Sequence, residues 1–148
     1  MSTRLHATCV AIDAAGVLLL GPSGSGKSDL ALRLIDGGAK LVADDQVALE
    51  VRDGRLMASA PSRLPPLLEL RGVGLVPMER AAPVPLAAAF ELRPHAGRER
   101  LPDSQVWGHG GVTVPLYCID PAMPSAAARV RLLARRAPVS LDLPVDDA

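Results

Sequence analysis

Apolar and polar residues follow one another along this chain in two rhythms, and the change between them marks its elements. Leu5–Ile12 is a mostly apolar run that reads as a strand, Asp13-Ala14-Ala15-Gly16 as a turn, and Val17–Leu20 as a second strand covered on both faces. The rhythm then lengthens. Over Lys27–Asp36, the apolar Leu30, Ala31, Leu34 and Ile35 share one side at helical spacing, while Asp29, Arg33 and Asp36 point away. Gly37-Gly38 ends that helix, as glycine just past a helix terminus does. Leu41–Ala43 is a third buried strand and runs into Asp44-Asp45.

Val47–Val51 and Arg55–Ala60 flank Asp53-Gly54, the strongest short-range hairpin signal in the chain. Leu67–Val76 is apolar apart from Glu69 and Arg71, with Gly72 and Gly74 as punctuation. From Pro77 to Gly111 the text is rich in Pro, Gly and charge, and Leu86–Leu92 is its one expected strand. Val112–Ile119 reads as a late strand and Pro124–Arg136 as a helix. These elements predict one catalytic unit over residues 1–136 and a poorly ordered acidic tail over 137–148. Two hairpins beside a helical unit argue for an α/β fold with a mixed sheet rather than a purely parallel one.

Composition narrows the function without naming it. The 148 residues suffice for one domain with a sizeable core. Lysine plus arginine and aspartate plus glutamate both total 16, so no global field favours nucleic acid or an anionic membrane. Cys9 and Cys118 lie far apart without metal-ligand spacing, and are expected as buried free thiols in a reducing compartment. Arg4 and His6 interrupt any secretory core in Met1–Ile12, and the Val17–Leu20 run is too short to span a bilayer. The expected location is the cytoplasm.

The sharpest chemical signal is Gly21-Pro22-Ser23-Gly24-Ser25-Gly26-Lys27-Ser28, a full GxxxxGK[ST] phosphate loop between an apolar strand and an amphipathic helix. Glycines let backbone N–H groups converge on phosphate oxygens, and the helix N-terminus adds partial positive charge. Lys27 is expected at the β- and γ-phosphates and the Ser28 hydroxyl on Mg²⁺, which makes Mg-ATP the predicted ligand. The loop is expected at the edge of the mixed sheet. A guanine-specific GTPase needs an Asn-Lys-x-Asp type motif, and this chain has no Asn; the Leu-Ser-Gly-Gly signature of transport ATPases is also absent. Asp44-Asp45 then stands out, because an apolar strand ending in Asp is where phosphate-loop proteins place a metal-ordering carboxylate. Adjacent residues point to different sides, so one carboxylate can face the metal and the other an incoming nucleophile.

His6, the phosphate loop, Leu41-Val42-Ala43-Asp44-Asp45 and Leu68-Glu69-Leu70-Arg71-Gly72-Val73-Gly74, in this order and spacing, resemble the catalytic domain of HPr kinase/phosphorylase. That family has a phosphate-loop fold similar to phosphoenolpyruvate carboxykinase and phosphorylates a serine of HPr, a carrier protein of the sugar phosphotransferase system. The resemblance covers residues 4–76 well, with an echo at Arg100-Leu101. It implies Asp45 as the base for the acceptor serine, Asp44 as the carboxylate ordering metal-bound water, and Glu69 as a second Mg²⁺ ligand. It also implies His6 as a catalytic neighbour, Arg100 as a catalytic arginine, and Arg71 in a segment serving both reaction directions. Glu69 stands alone between Leu68 and Leu70, so if buried it needs a metal or Arg71 as partner.

The sequence departs from the family pattern in three places. Its start, just before the kinase domain, suggests the short single-domain form; Pro22 and Asp29 replace the usual Asp and Glu. The late segment linked to dephosphorylation is matched only by Val114–Ile119, which lacks both arginines. The expected function is an ATP-dependent serine kinase for an HPr-like carrier, with weak or absent phosphorolysis. A small-molecule kinase and a regulatory nucleotide-binding module are the alternatives. The family's hexamers imply a homo-oligomer, although no interface is legible. Pro77–Gly111, with Arg93, Arg98 and Arg100, is the expected docking face; Trp107 is expected to pack, and His95 and His109 have no assigned role.

Overall fold

The computed structural model describes residues 3–61, 63–96 and 103–138. The apolar run expected as one strand divides at the buried Ala7 into β1 (Thr3–His6) and β2 (Thr8–Ile12). One continuous run thus serves two parts of a sheet, which apolar pattern alone does not reveal. β2 forms the expected hairpin with β3 (Ala15–Leu20), from Thr8 opposite Leu19 to Ile12 opposite Ala15. Side chains alternate along both strands. Val10, Ile12, Val17 and Leu19 enter one core; Cys9, Ala11 and Leu18 enter another on the opposite face. Cover on both faces explains why these strands are apolar runs.

Helix α1 (Lys27–Asp36) buries Leu30, Ala31 and Leu34 in the first core and ends at Gly37. β4 (Lys40–Ala43) pairs with β2, and β5 (Gln46–Arg52) returns to pair with β1 and β6 (Arg55–Ser59). Asp53 and Gly54, at φ 53° and 73°, close that hairpin as the two-residue turn predicted for them. β7 (Leu67–Leu70) and β8 (Gly74–Pro77) form a separate two-stranded sheet.

β9 (Val84–Leu92) governs the topology. Its first residues pair antiparallel with β6, its later ones pair parallel with β11 (Val112–Ile119), and its other edge pairs parallel with β3. The nine-stranded mixed sheet runs β1-β5-β6-β9-β3-β2-β4, with β11 and its antiparallel partner β10 (Gln105–His109) branching from β9. This bears out the mixed α/β class. Two details differ from expectation. β3, which delivers the phosphate loop, lies inside the sheet between β2 and β9 rather than at its edge. β10 crosses a segment read as irregular, because its mostly exposed residues and its one partner leave no buried alternation.

Helix α2 (Ala126–Arg135) packs beside α1 through Ala126, Ala127, Val130 and Ala134. Arg131 Nη2 donates to the Arg33 carbonyl at 2.8 Å near the end of α1. The second core lies among β2, β5, β6, β9 and the curl of the sheet, with Trp107 packed at its margin as expected. Cys9 is buried, its thiol pKa pushed up by desolvation, whereas Cys118 is only half-buried; both are free. Among the described residues, no helix is long and apolar enough to cross a membrane. The tail beyond residue 138 lies outside the described residues.

Candidate functional site

The parallel strands β3, β9 and β11 end on the same side, and the loops that leave them meet there. A Cβ on Gly21 would lie 3.6 Å from the Leu92 carbonyl oxygen, and one on Gly26 would lie 3.3 Å from Pro121. Ligands of open α/β sheets bind outside such carboxyl ends. Gly21 has φ 151°, and a Cβ there would stand 2.6 Å from Ser25 Oγ. Any side chain at Gly21 would therefore open the loop. Lys27 Nζ folds back over the loop and donates to the carbonyls of Gly21 at 2.6 Å and Pro22 at 2.9 Å. Burial lowers the Lys27 pKa, opposed by the nearby Asp44 and Asp45 carboxylates.

Those two carboxylates flank a tight bend. The Gln46 N–H donates to the Asp44 carbonyl at 2.9 Å, closing a three-residue turn with Asp45 at φ 72°. Such positive-φ turns are rare and strained, and Asp is among the few residues that tolerate them. The Ala7 N–H holds the bend from across the sheet, donating to the Asp45 carbonyl at 3.2 Å.

The bend sends its side chains to different partners. Asp44 Oδ1 accepts from Thr8 Oγ1 at 2.8 Å, and the Ser28 hydroxyl lies 3.3 Å from each Asp44 carboxylate oxygen. Asp45 Oδ1 lies 2.9 Å from His6 Nε2, with side chains 77% and 53% exposed, so an incoming molecule can reach this pair. Ser28 and Asp44 offer oxygen donors at a helix N-terminus, the donor chemistry that suits a hard divalent cation shared with a phosphate.

A cleft of about 980 Å³ joins these groups to the β7–β8 hairpin. His6, Ser23, Gly24, Gly26, Lys27, Ser28, Asp44, Asp45, Glu69 and Arg71 all line it, so most predicted site residues share one space. Glu69 is exposed to the cleft, so it needs no metal or Arg71 partner to offset burial. The alternation of β7 explains this: Leu68 takes the buried side and Glu69 the open one. Arg71 Nη2 reaches to 3.6 Å from where a Gly24 Cβ would be, which brings a guanidinium over the phosphate loop.

Arg100 and Arg98 lie outside the described residues. Arg93 is exposed and paired with Glu91 at 2.9 Å. His95 donates its backbone N–H to Asp120, and His109 stacks against Trp107 with ring centroids 6.2 Å apart. Sequence reasoning overlooked Thr8. A lone hydroxyl in the run Thr8–Ile12 was the available signal, but strands accept Thr readily and its partner is 36 residues away.

The family model described as HPr Serine kinase C-terminal domain matches residues 1–82. An HPr kinase/phosphorylase of Geobacillus sp. is 38% identical over 107 residues, covering 72% of this chain and 33% of that protein. One from Exiguobacterium sibiricum is 35% identical over 112 residues, covering 75% and 34%. The chain spans about a quarter to a third of the length of these curated relatives. The solved structure of the Hpr(Ser) kinase/phosphatase from Coxiella burnetii superposes with a TM-score of 0.78 at 24% identity, covering 90% of this chain and 94% of that one. At that identity the likeness establishes the fold.

Proposed function

The chain belongs to the HPr Serine kinase C-terminal domain family, and from that premise we propose that it transfers the γ-phosphoryl group of ATP to a serine of an HPr-like phosphocarrier protein. The observation that carries this reading is the side-by-side placement of two differently held carboxylates at the mouth of the phosphate loop. The loop N–H groups and Lys27 bind the β- and γ-phosphates. Ser28 and Asp44 would hold Mg²⁺, with Glu69 as a further ligand, and the ion would neutralise phosphate charge. Asp45 accepts the proton of the serine hydroxyl, whose oxygen bonds to the γ-phosphorus as the bond to the β-phosphate bridging oxygen breaks and ADP leaves. His6 holds the Asp45 carboxylate towards the acceptor, and Arg71 and Arg100 supply cationic donors to the transferred group.

We assign the catalytic unit to residues 1–136 and the reaction to the cytoplasm. Docking of a folded carrier, rather than enclosure of a small substrate, accords with a cleft open on the Asp45 side. Incubating the chain with Mg-ATP and a panel of HPr-like carriers, followed by phosphosite mapping, tests the reading. The expected product is one phosphoserine on a carrier; transfer only to small molecules, or no turnover with any carrier, would refute it.

The reverse reaction should be weak. Val114–Ile119 is built into β11 and carries no arginine, while phosphorolysis sets inorganic phosphate against an anionic phosphoserine. Phosphate-dependent release of pyrophosphate from phosphorylated carrier should run well below the forward rate. A comparable rate would contradict this.

A further inference from the structure

Among the described residues, Thr8 and Lys27 are the polar or charged side chains that the fold buries, and both end in the cleft. Thr8 is fully buried on β2, between β3 and β4, with Cys9 and Val10 following it in the strand. Burying a hydroxyl without a partner is costly, and an isosteric Val would suit the strand at least as well. What offsets that cost is its bond to Asp44, 2.8 Å long. A hydroxyl has one proton, and here it is committed to Oδ1. The β-branched side chain is stiff about χ1, so the donor is fixed by the strand itself.

We propose that Thr8 is the positioning residue that sets the affinity of the Ser28–Asp44 pair for the divalent cation bound with nucleotide, a role that rests on the Mg-nucleotide reading above. Without Thr8, the Asp44 carboxylate at the end of β4 would lose the neighbour that holds its plane. Ser28 alone, at 3.3 Å, is a weak constraint. With Thr8 in place, Asp44 is oriented before the cation arrives and keeps lone pairs free for it. Partners that orient a metal-binding carboxylate typically govern affinity by about 10–100-fold. The neighbouring Asp45 receives a different partner from the same stretch of chain, His6, two residues before Thr8.

The test is calorimetric titration of a non-hydrolysable ATP analogue into the whole chain, once with excess Mg²⁺ and once with chelator. Competition by Mn²⁺, followed by its paramagnetic resonance signal, reads the cation directly. Thr8→Val should weaken the cation-linked part of binding by about 10–100-fold and leave chelator-condition affinity unchanged, while Thr8→Ser should recover most of the loss. Thr8→Ala, which adds no methyl group in place of the hydroxyl, carries the same test if Val unfolds the chain. Equal weakening with and without cation, or cation linkage as in the native chain, would overturn the proposal. A native chain whose nucleotide binding ignores Mg²⁺ would overturn both this proposal and the reading beneath it.

Discussion

On one side of the cleft floor, Asp44 sits against the hydroxyls of Thr8 and Ser28, neutral groups fixed by a strand and a helix. On the other side, Asp45 reaches into the open with a half-exposed imidazole as its neighbour. The two residues are chemically identical and adjacent, so the difference comes from the bend between them and from what β1 and β2 present to each. A cation site benefits from rigid oxygen donors arranged in advance. A base for a protein acceptor needs access, and a partner that can share or orient a proton. On the proposed function, one Asp-Asp step serves both needs.

Removing the open-side carboxylate should have the largest effect. Asp45→Asn should lower the transfer rate by about 10²-fold or more while ATP affinity stays near the native value. Near-full transfer in that variant would mean that the carboxylates have exchanged roles. Lys27→Ala attacks the ground common to both sides. It should weaken nucleotide binding by about 2–5 kcal/mol while the ligand-free chain still folds, with unfolding at a somewhat lower temperature because the Gly21 and Pro22 carbonyls lose their donor. Equal nucleotide affinity by calorimetry would remove the phosphate-loop assignment. His6→Ala is the finer probe. Losing one hydrogen bond to a carboxylate should lower transfer by roughly 10-fold, about 1.5 kcal/mol, without altering cation dependence. A changed Mg²⁺ requirement in this variant would blur the boundary between the two sides.

Sequence and structure agree where the determinants are local. The glycine-rich Gly21–Ser28 loop, the amphipathic α1 and the Asp53-Gly54 hairpin each carry their signal within a few residues, and each forms at its expected place in the chain, although the loop leaves the interior of the sheet rather than its edge. The Asp44-Asp45 pair was legible as two directions of one strand end, though not as a strained turn. The parts that escaped depend on distant pairing. Ala7 is a small apolar residue inside a run that reads as one strand, so nothing marked the division of β1 from β2 until β5 and β3 claimed different stretches. β9 looked like one strand in a loop-rich segment, yet its three partners make it the branch point of the sheet. The two leucines beside Glu69 left its burial open, and strand alternation turned it outward. Thr8 escaped for the same reason as β9, since its meaning lies in a partner far along the chain.

The division of labour between the two carboxylates is tested most directly by measuring nucleotide affinity with and without Mg²⁺ in Asp44→Asn and Asp45→Asn side by side. Asp44→Asn should lose most of the affinity that Mg²⁺ adds, and Asp45→Asn should keep it while failing in transfer. Equal loss of the Mg²⁺ contribution in both variants, or loss in Asp45→Asn alone, would contradict the assignment.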